Sequence, residues 1–130
     1  MRLAVIGGSG LTRFEGLEIV ERRWVDTPYG KPSAPLILGG LSGRELVFLP
    51  RHGETHALPP HRINYRANIA ALKGVGVTHV IAVAAVGGIT PKMAPQVLVV
   101  PDQIIDYSYG RDHTFFEGGE SGVTHVDFTY

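Results

Sequence analysis

The feature of this sequence that most constrains its fold is a set of short, largely apolar runs, each of which is followed directly by glycine or proline. The runs are residues 3–6, 35–38, 45–49, 80–86 and 97–100. Continuous apolar runs of about four to eight residues are typical of strands that are buried on both faces of a sheet. The 17 glycines and 9 prolines of the chain supply tight turns between such strands. The sequence therefore predicts a sheet of short strands joined by turns.

An amphipathic helix is predicted between the third and fourth of these runs. Asn64 fits an N-cap, and Gly74 and Gly76 are typical helix stops. An apolar stripe at helical spacing is formed by Tyr65, Ile69 and Leu72. The runs at 35–38 and 45–49 predict an antiparallel hairpin, so we expect an α/β fold with a mixed central β-sheet flanked by helices. Residues 107–130 show no clear period and are predicted to form an ordered loop.

Composition and charge exclude several classes of protein. Twelve basic and twelve acidic residues give a formal net charge of zero, so no broad electrostatic field favours nucleic acid or an anionic membrane surface. The chain has no cysteine, which excludes disulfides and thiolate metal sites. It shows neither a membrane-spanning run nor a signal-peptide pattern. We therefore expect a cytoplasmic protein with one domain over residues 1–130, in which any anion site is local.

The first candidate site is the glycine-rich turn at residues 7–10, which follows the first predicted strand. Its backbone N–H groups and the hydroxyl of Ser9 can approach an anion closely. A dinucleotide fingerprint would require a third glycine where Arg13 stands, and a Walker loop requires a Gly-Lys-Ser/Thr sequence that is absent. Two interpretations remain, a phosphate cradle and a plain tight turn.

The second candidate site is the segment RHGETH at residues 51–56, which follows the strand predicted over 45–49. A zinc helix is excluded because Gly53 follows the first histidine and prolines bracket the segment. The guanidinium of Arg51 suits a bidentate grip on phosphate, and His52 can add one more hydrogen bond. The alternative is a solvated arginine beside a structural histidine.

The third candidate site is the end of the fourth run, where the sequence AVAAVGG at residues 82–88 passes from strand into glycine. Small residues let a ligand touch the backbone, and ligands of α/β sheets bind at the carboxyl ends of strands. A plain core strand is the alternative for this segment taken alone. Three such strand ends, with Arg51 and His52 at one of them, together predict a site of the size of a phosphate ion.

Five motifs follow one another in a fixed order along the chain. They are IGGSGL at 6–11, DTPYGKPS at 26–33, RHGETH at 51–56, NYRAN at 64–68 and AVGG at 85–88. This ordered set resembles the methylthioadenosine phosphorylase group of the purine nucleoside phosphorylases, and the similarity covers nearly the whole chain. Residues 110–128 are most similar to the S-methyl-5'-thioinosine phosphorylases within that group.

The resemblance implies the nucleoside phosphorylase fold, of which this chain would hold only the N-terminal part. It implies a pentosyltransferase that cleaves a purine 5'-methylthio-nucleoside by phosphorolysis, with S-methyl-5'-thioinosine expected first and S-methyl-5'-thioadenosine next. It also implies inorganic phosphate as co-substrate, no metal or organic cofactor, and a homotrimer with active sites near subunit boundaries.

Residue roles follow from the same resemblance. The positions that match the family's phosphate-binding residues are Ser9, Arg51, His52 and the backbone at Ala85. The positions that match its 5'-methylthio pocket are His56 and His125, the latter contributed by the neighbouring subunit.

The sequence departs from the family pattern at two places. Ser9 stands where the family often has threonine, which keeps the hydroxyl, and Ala84 stands where it has a polar side chain. The family's purine-recognising residues and the carboxylate that helps to protonate the leaving base lie in a C-terminal part outside these 130 residues, so no catalytic acid is assigned. A nucleosidase that uses water and a noncatalytic nucleoside- or phosphate-binding module remain as alternatives.

Overall fold

The computed structural model of the protein describes residues 1–127, which form five strands, one α-helix and two short 3-10 helices. The strands are β1 (Leu3–Gly7), β2 (Glu18–Arg23), β3 (Leu36–Leu41), β4 (Arg44–Pro50) and β5 (His79–Ala82). The helix is α1 (Tyr65–Gly74), and the 3-10 helices are Pro60–Arg62 and Gly119–Ser121. The last three residues of the loop predicted over 107–130 lie outside the described residues.

The five strands form one mixed sheet in the order β2-β3-β4-β1-β5. Strand β1 runs parallel to both β4 and β5, whereas β3 pairs antiparallel with β2 and with β4. The predicted mixed sheet and its hairpin are therefore confirmed. In the register of the parallel strands Gly7 lies beside Pro50 and Ile6 lies beside Ala82. The carboxyl ends of β1, β4 and β5 consequently meet at one edge of the sheet.

Successive side chains of the central strands point to opposite faces of the sheet and build two apolar clusters. The first cluster lies between the sheet and α1 and includes Ala4, Ile6, Leu36, Val47, Leu49, Ala71 and Leu72. The second cluster lies on the other face and consists of Val5, Ile37, Leu46 and Phe48, with Leu11, Phe14 and Leu17 packed against it. The core therefore sits on β1, β3 and β4.

Both ends of α1 form as the sequence predicts. The side chain of Asn64 accepts a hydrogen bond from the backbone N–H of Ala67 at 3.0 Å, which caps the first turn. At the other end Gly76 has a φ of 79° and its N–H bonds the Lys73 carbonyl, while the N–H of Val77 bonds the carbonyl of Leu72. This pair of bonds is a Schellman motif, which satisfies the last carbonyls of the helix.

The buried face of α1 is rotated from the predicted stripe. The helix buries Ala67, Asn68, Ala71 and Leu72, whereas Ile69 is 42% exposed. The physical reason is close packing, because the two alanines let the helix approach the sheet while Asn68 bonds the loop before β3 at Ser33. The prediction that Ile69 shares the buried stripe is wrong.

The chain after β5 differs from the prediction. The strand predicted over 80–86 ends at Ala82, and the strand predicted over 97–100 does not form. A strand requires a hydrogen-bonded neighbour. Strand β5 is the last strand in the sheet order, and within residues 1–127 no further strand pairs with it. Residues 107–127 contain no strand and no α-helix, as predicted for a loop. No helix in the described part of the chain is long and apolar enough to cross a membrane.

Candidate anion site at the sheet edge

The three strand ends that the sequence singled out are joined by backbone hydrogen bonds. Beyond the last residue of β4, the N–H of Arg51 donates to the carbonyl of Gly7 at 3.0 Å. Beyond the last residue of β5, the N–H of Val83 donates to the carbonyl of Ile6 at 2.9 Å. The residues that immediately follow β4 and β5 are therefore fixed on either side of β1.

The guanidinium of Arg51 crosses the end of β1 to reach the chain beyond β5. Its Nη1 donates a hydrogen bond to the carbonyl oxygen of Val83 at 2.6 Å, and the group lies against the backbone of Gly8. A carbonyl carries no net charge, so this bond orients the guanidinium without neutralising it. The half-buried Arg51 therefore presents a positive charge and further N–H donors at the sheet edge.

The glycine-rich turn after β1 closes beside this guanidinium. The N–H of Leu11 donates to the carbonyl of Gly8 at 3.0 Å, which closes a four-residue turn. Gly10 has a φ of 82° in this turn, a conformation that glycine adopts without strain. Ser9 is exposed at the tip, directly after the residue that the guanidinium touches. The hydroxyl and the cation predicted to bind phosphate are thus carried by adjacent strand ends.

His52 and His56 lie together in the loop that follows β4. His52 is only 7% exposed, and its Nδ1 lies 2.8 Å from the carbonyl oxygen of Leu58. Because a carbonyl only accepts, Nδ1 carries the hydrogen and Nε2 is the ring nitrogen left for other partners. The imidazole of His56 contacts that of His52 in a tilted arrangement, with centroids 4.6 Å apart and an interplanar angle of 45°. His56 has a φ of 56° and is exposed, so it contacts the buried His52 from the surface of the protein.

The remaining predicted site residues are exposed and make no contact with this group that the structure shows within residues 1–127. Ala84 and Ala85 are exposed in the segment that follows β5, and His125 is exposed near the end of the described chain. Within residues 1–127 no hydrogen bond or ring contact links His125 to Arg51 or His52. The structure therefore brings together the turn at Ser9, Arg51, His52 and His56, and it does not bring His125 to them.

One cluster of charged residues was not singled out by the sequence analysis. The guanidinium of Arg66 on α1 lies 2.6 Å from a carboxylate oxygen of Asp112 and 2.5 Å from one of Glu117, and it stacks over the ring of Tyr29 at 5.0 Å. The hydrogen bond to Glu117 raises the pKa of Arg66, so the group stays charged. Its partners are distant in sequence, and no local pattern could have revealed them.

Possible metal ligands are sparse near these residues. In the part of the chain that the structure describes, no three histidine, aspartate or glutamate side chains are grouped in a way that could hold a metal ion. His52 and His56 therefore do not belong to a metal-binding cluster formed by the described residues.

Comparison with known proteins identifies the class to which this fold and site belong. The sequence profile of the phosphorylase superfamily matches residues 2–130. The chain therefore belongs to the phosphorylase superfamily, which confirms the resemblance seen in the five motifs.

Two curated relatives show how the similarity is distributed. A protein of Xanthomonas campestris pv. campestris named probable S-methyl-5'-thioinosine phosphorylase is 56% identical over 126 residues, which are 97% of this chain and 50% of that protein. The S-methyl-5'-thioadenosine phosphorylase of Mycolicibacterium smegmatis is 47% identical over 127 residues, 98% of this chain and 49% of that protein. The chain thus spans about half the length of the curated relatives that it matches.

A solved structure agrees with the fold. The structure of methylthioadenosine phosphorylase from Schistosoma mansoni in its apo form superimposes with a TM-score of 0.86 at 38 to 39% identity, as does a variant of that enzyme. The superposition covers 97% of this chain and 45% of the Schistosoma protein. The mixed sheet described above is therefore the part of the nucleoside phosphorylase fold that this chain contains.

Proposed function

We propose that the whole protein cleaves a purine 5'-methylthio-nucleoside by phosphorolysis, giving the free purine and 5-methylthioribose 1-phosphate. The observation that carries the proposal is the Arg51 guanidinium, oriented across three strand ends next to the turn of Ser9 and followed directly in the chain by the buried His52. Inorganic phosphate fits such a site because it is a small anion that a guanidinium and a hydroxyl bind together. S-methyl-5'-thioinosine is the first choice of substrate and S-methyl-5'-thioadenosine the second, supported by the names of the relatives.

In the proposed reaction one bond breaks and one forms at the ribosyl C1'. The bond from C1' to the purine nitrogen breaks, its electron pair leaves with the base, and a phosphate oxygen attacks C1' as positive charge develops on the ring. The leaving base takes up a proton, for which no donor is assigned in this chain. Arg51, His52 and the glycine-rich turn hold the phosphate dianion against the developing cation, so they act by positioning and electrostatics. The proposal involves no metal and no organic cofactor.

The other residue roles are part of the same proposal. The phosphate ligands are Ser9, Arg51, His52 and the backbone at Ala85. His56 lines the pocket for the 5'-methylthio group, which is supported by its ring contact with His52. His125 is proposed to reach the same pocket of a neighbouring subunit in a cytoplasmic homotrimer.

Phosphate dependence tests the reaction type. We expect the whole protein to release base from S-methyl-5'-thioinosine only when inorganic phosphate is present, with 5-methylthioribose 1-phosphate as the second product by chromatography. Equal release without phosphate would identify a nucleosidase. Nucleoside binding in calorimetry without turnover would identify a noncatalytic module. The same assay with S-methyl-5'-thioadenosine and inosine ranks the substrates.

A pair of arginine variants tests the anion site. Removing a charged hydrogen-bonding partner costs about 1.5–3 kcal/mol, so Arg51→Ala should raise the phosphate KM roughly 10- to 100-fold. Arg44→Ala is the matched control, because Arg44 is exposed at the opposite end of the same strand. An unchanged phosphate KM for Arg51→Ala would show that the anion binds elsewhere.

A further inference from the structure

We propose that Gly8 is a positioning residue for the Arg51 guanidinium, and that its missing side chain sets the affinity of the site for phosphate. The inference rests on the proposed function, because it concerns how the phosphate-binding arginine is held. It assigns a role to the turn at residues 7–10 beyond that of a phosphate cradle, namely to shape the space into which Arg51 extends.

The space above Gly8 is filled by the guanidinium itself. A Cβ atom built on Gly8 would lie 2.7 Å from both Cζ and Nη1 of Arg51, and closer still to Nη2. No real Cβ atom tolerates such contacts, so an alanine at this position and the observed guanidinium cannot coexist. The glycine is needed here for close approach, because its φ does not lie in the left-handed region.

The neighbouring glycines show that this contact is particular to Gly8. A Cβ on Gly7 would meet the backbone carbonyl of Leu11 and the ring of Phe48, so that glycine is required by the fold. A Cβ on Gly10 would meet nothing within 4 Å, and that glycine is favoured by its φ of 82°. Gly8 alone among the three faces the end of a flexible side chain, which can move without disturbing the backbone.

The guanidinium cannot move away from Gly8 without losing its hydrogen bond to the Val83 carbonyl. Its Nη1 bonds the Val83 carbonyl at 2.6 Å, and Val83 is itself held on β1 because its N–H bonds the carbonyl of Ile6. The Arg51 backbone is fixed in the same way by the bond to Gly7. A methyl group on Gly8 therefore pushes the guanidinium away from both the Val83 carbonyl and the strand ends. The fold survives, but the donors no longer point where they do now.

A double-mutant cycle in the whole protein tests this inference through the phosphate KM. Gly8→Ala should raise the phosphate KM roughly tenfold, the lower end of the loss expected for a charged hydrogen bond, while the nucleoside KM changes less than about twofold. In the Arg51→Ala background the space is empty, so Gly8→Ala should add less than about a twofold further change. The matched control is Gly40→Ala on β3, where the nearest atom to a new Cβ is 4.0 Å away.

Each outcome decides between the inference and its alternatives. If Arg51→Ala raises the phosphate KM but Gly8→Ala does not, the positioning role is wrong and the proposed function stands. An equal effect of Gly8→Ala in both backgrounds also overturns the inference, because the methyl then acts through the turn. If Arg51→Ala has no effect, the proposed anion site fails and the inference fails with it. Should Gly8→Ala alone misfold, recovery of folding in the Arg51→Ala background supports the clash, and no recovery contradicts it.

Discussion

Two regions of this chain have similar apolar content and different structures. The sheet region, residues 1–82, contains all five strands and α1, and every buried apolar side chain found in the described residues lies in it. The extended region, residues 83–127, contains only the 3-10 helix Gly119–Ser121. Apolar side chains are exposed there, and Leu98 in the run at 97–100 is 89% exposed. The difference shows that an apolar run becomes a strand only where a neighbour pairs with it.

The site is divided between these regions in the same way. Arg51, His52 and the turn at Ser9 lie in the sheet region, where the register of β1 and β4 fixes their backbones. Ala85 and His125 lie in the extended region and are exposed. Three of the four proposed phosphate ligands, Ser9, Arg51 and His52, therefore lie on the sheet region, whereas the fourth, the backbone at Ala85, does not. The relatives are about twice as long, and they have more chain with which to cover such residues.

The largest expected effect comes from one substitution made in each region. Phe48 is fully buried and packs edge-on against Phe14 at 5.7 Å, whereas Phe116 is 55% exposed. Phe48→Ala should lower the free energy of unfolding by about 3–5 kcal/mol, and Phe116→Ala by less than about 0.5 kcal/mol. Urea unfolding of the chain followed by circular dichroism measures both. Equal losses would show that the extended region is packed as tightly as the sheet region.

Local signals explain why most of the sheet region could be predicted. Each predicted element depends on a few neighbouring residues. These elements are the strands that end in glycine, the hairpin, and the helix that is capped at Asn64 and stops at Gly76. The failures depend on contacts between distant residues. The run at 97–100 has the composition of a strand but no strand to pair with among residues 1–127. Ile69 lies outside the buried face because Asn68 and two alanines orient α1.

The position of the candidate site could be predicted from local sequence signals, whereas the contacts within it could not. Arg51 and Ser9 were found because polar residues follow apolar strands, and parallel strands bring their carboxyl ends together. The contact between Gly8 and the Arg51 guanidinium depends on the register of β1 against β4, and the bond to Val83 depends on β5. Neither the register of β1 against β4 nor the pairing of β5 with β1 can be predicted from a local sequence pattern. The roles of Ser9, Arg51, His52, His56, Ala85 and His125 all stay predictions from the resemblance.

A smaller effect is expected from a buried polar contact that holds α1 against the sheet region. Asn68 is buried, accepts a hydrogen bond from the N–H of Ser33 at 2.8 Å and donates one to its hydroxyl at 3.0 Å. Asn68→Ala removes both bonds and leaves the Ser33 N–H unpaired, so it should cost about 1–3 kcal/mol of unfolding free energy. Ser33→Ala removes only the hydroxyl and should cost less. A larger loss for Ser33→Ala in urea unfolding would contradict this order.

The smallest and most local effect is expected where the two regions touch. Arg66 on α1 holds Asp112 and Glu117 of the extended region, and both carboxylates are largely exposed. Arg66→Met keeps an unbranched side chain and removes its charge and its N–H donors, so amide hydrogen exchange across residues 111–117 should speed up while exchange in β1 and β4 stays unchanged. Arg62→Met, at an exposed position in the 3-10 helix that precedes α1, should leave both unchanged. Mass spectrometry of the exchanged peptides measures this. Unchanged exchange over 111–117 would mean that ring contacts, such as that of Tyr29 with Phe115, suffice to hold the segment on the sheet region.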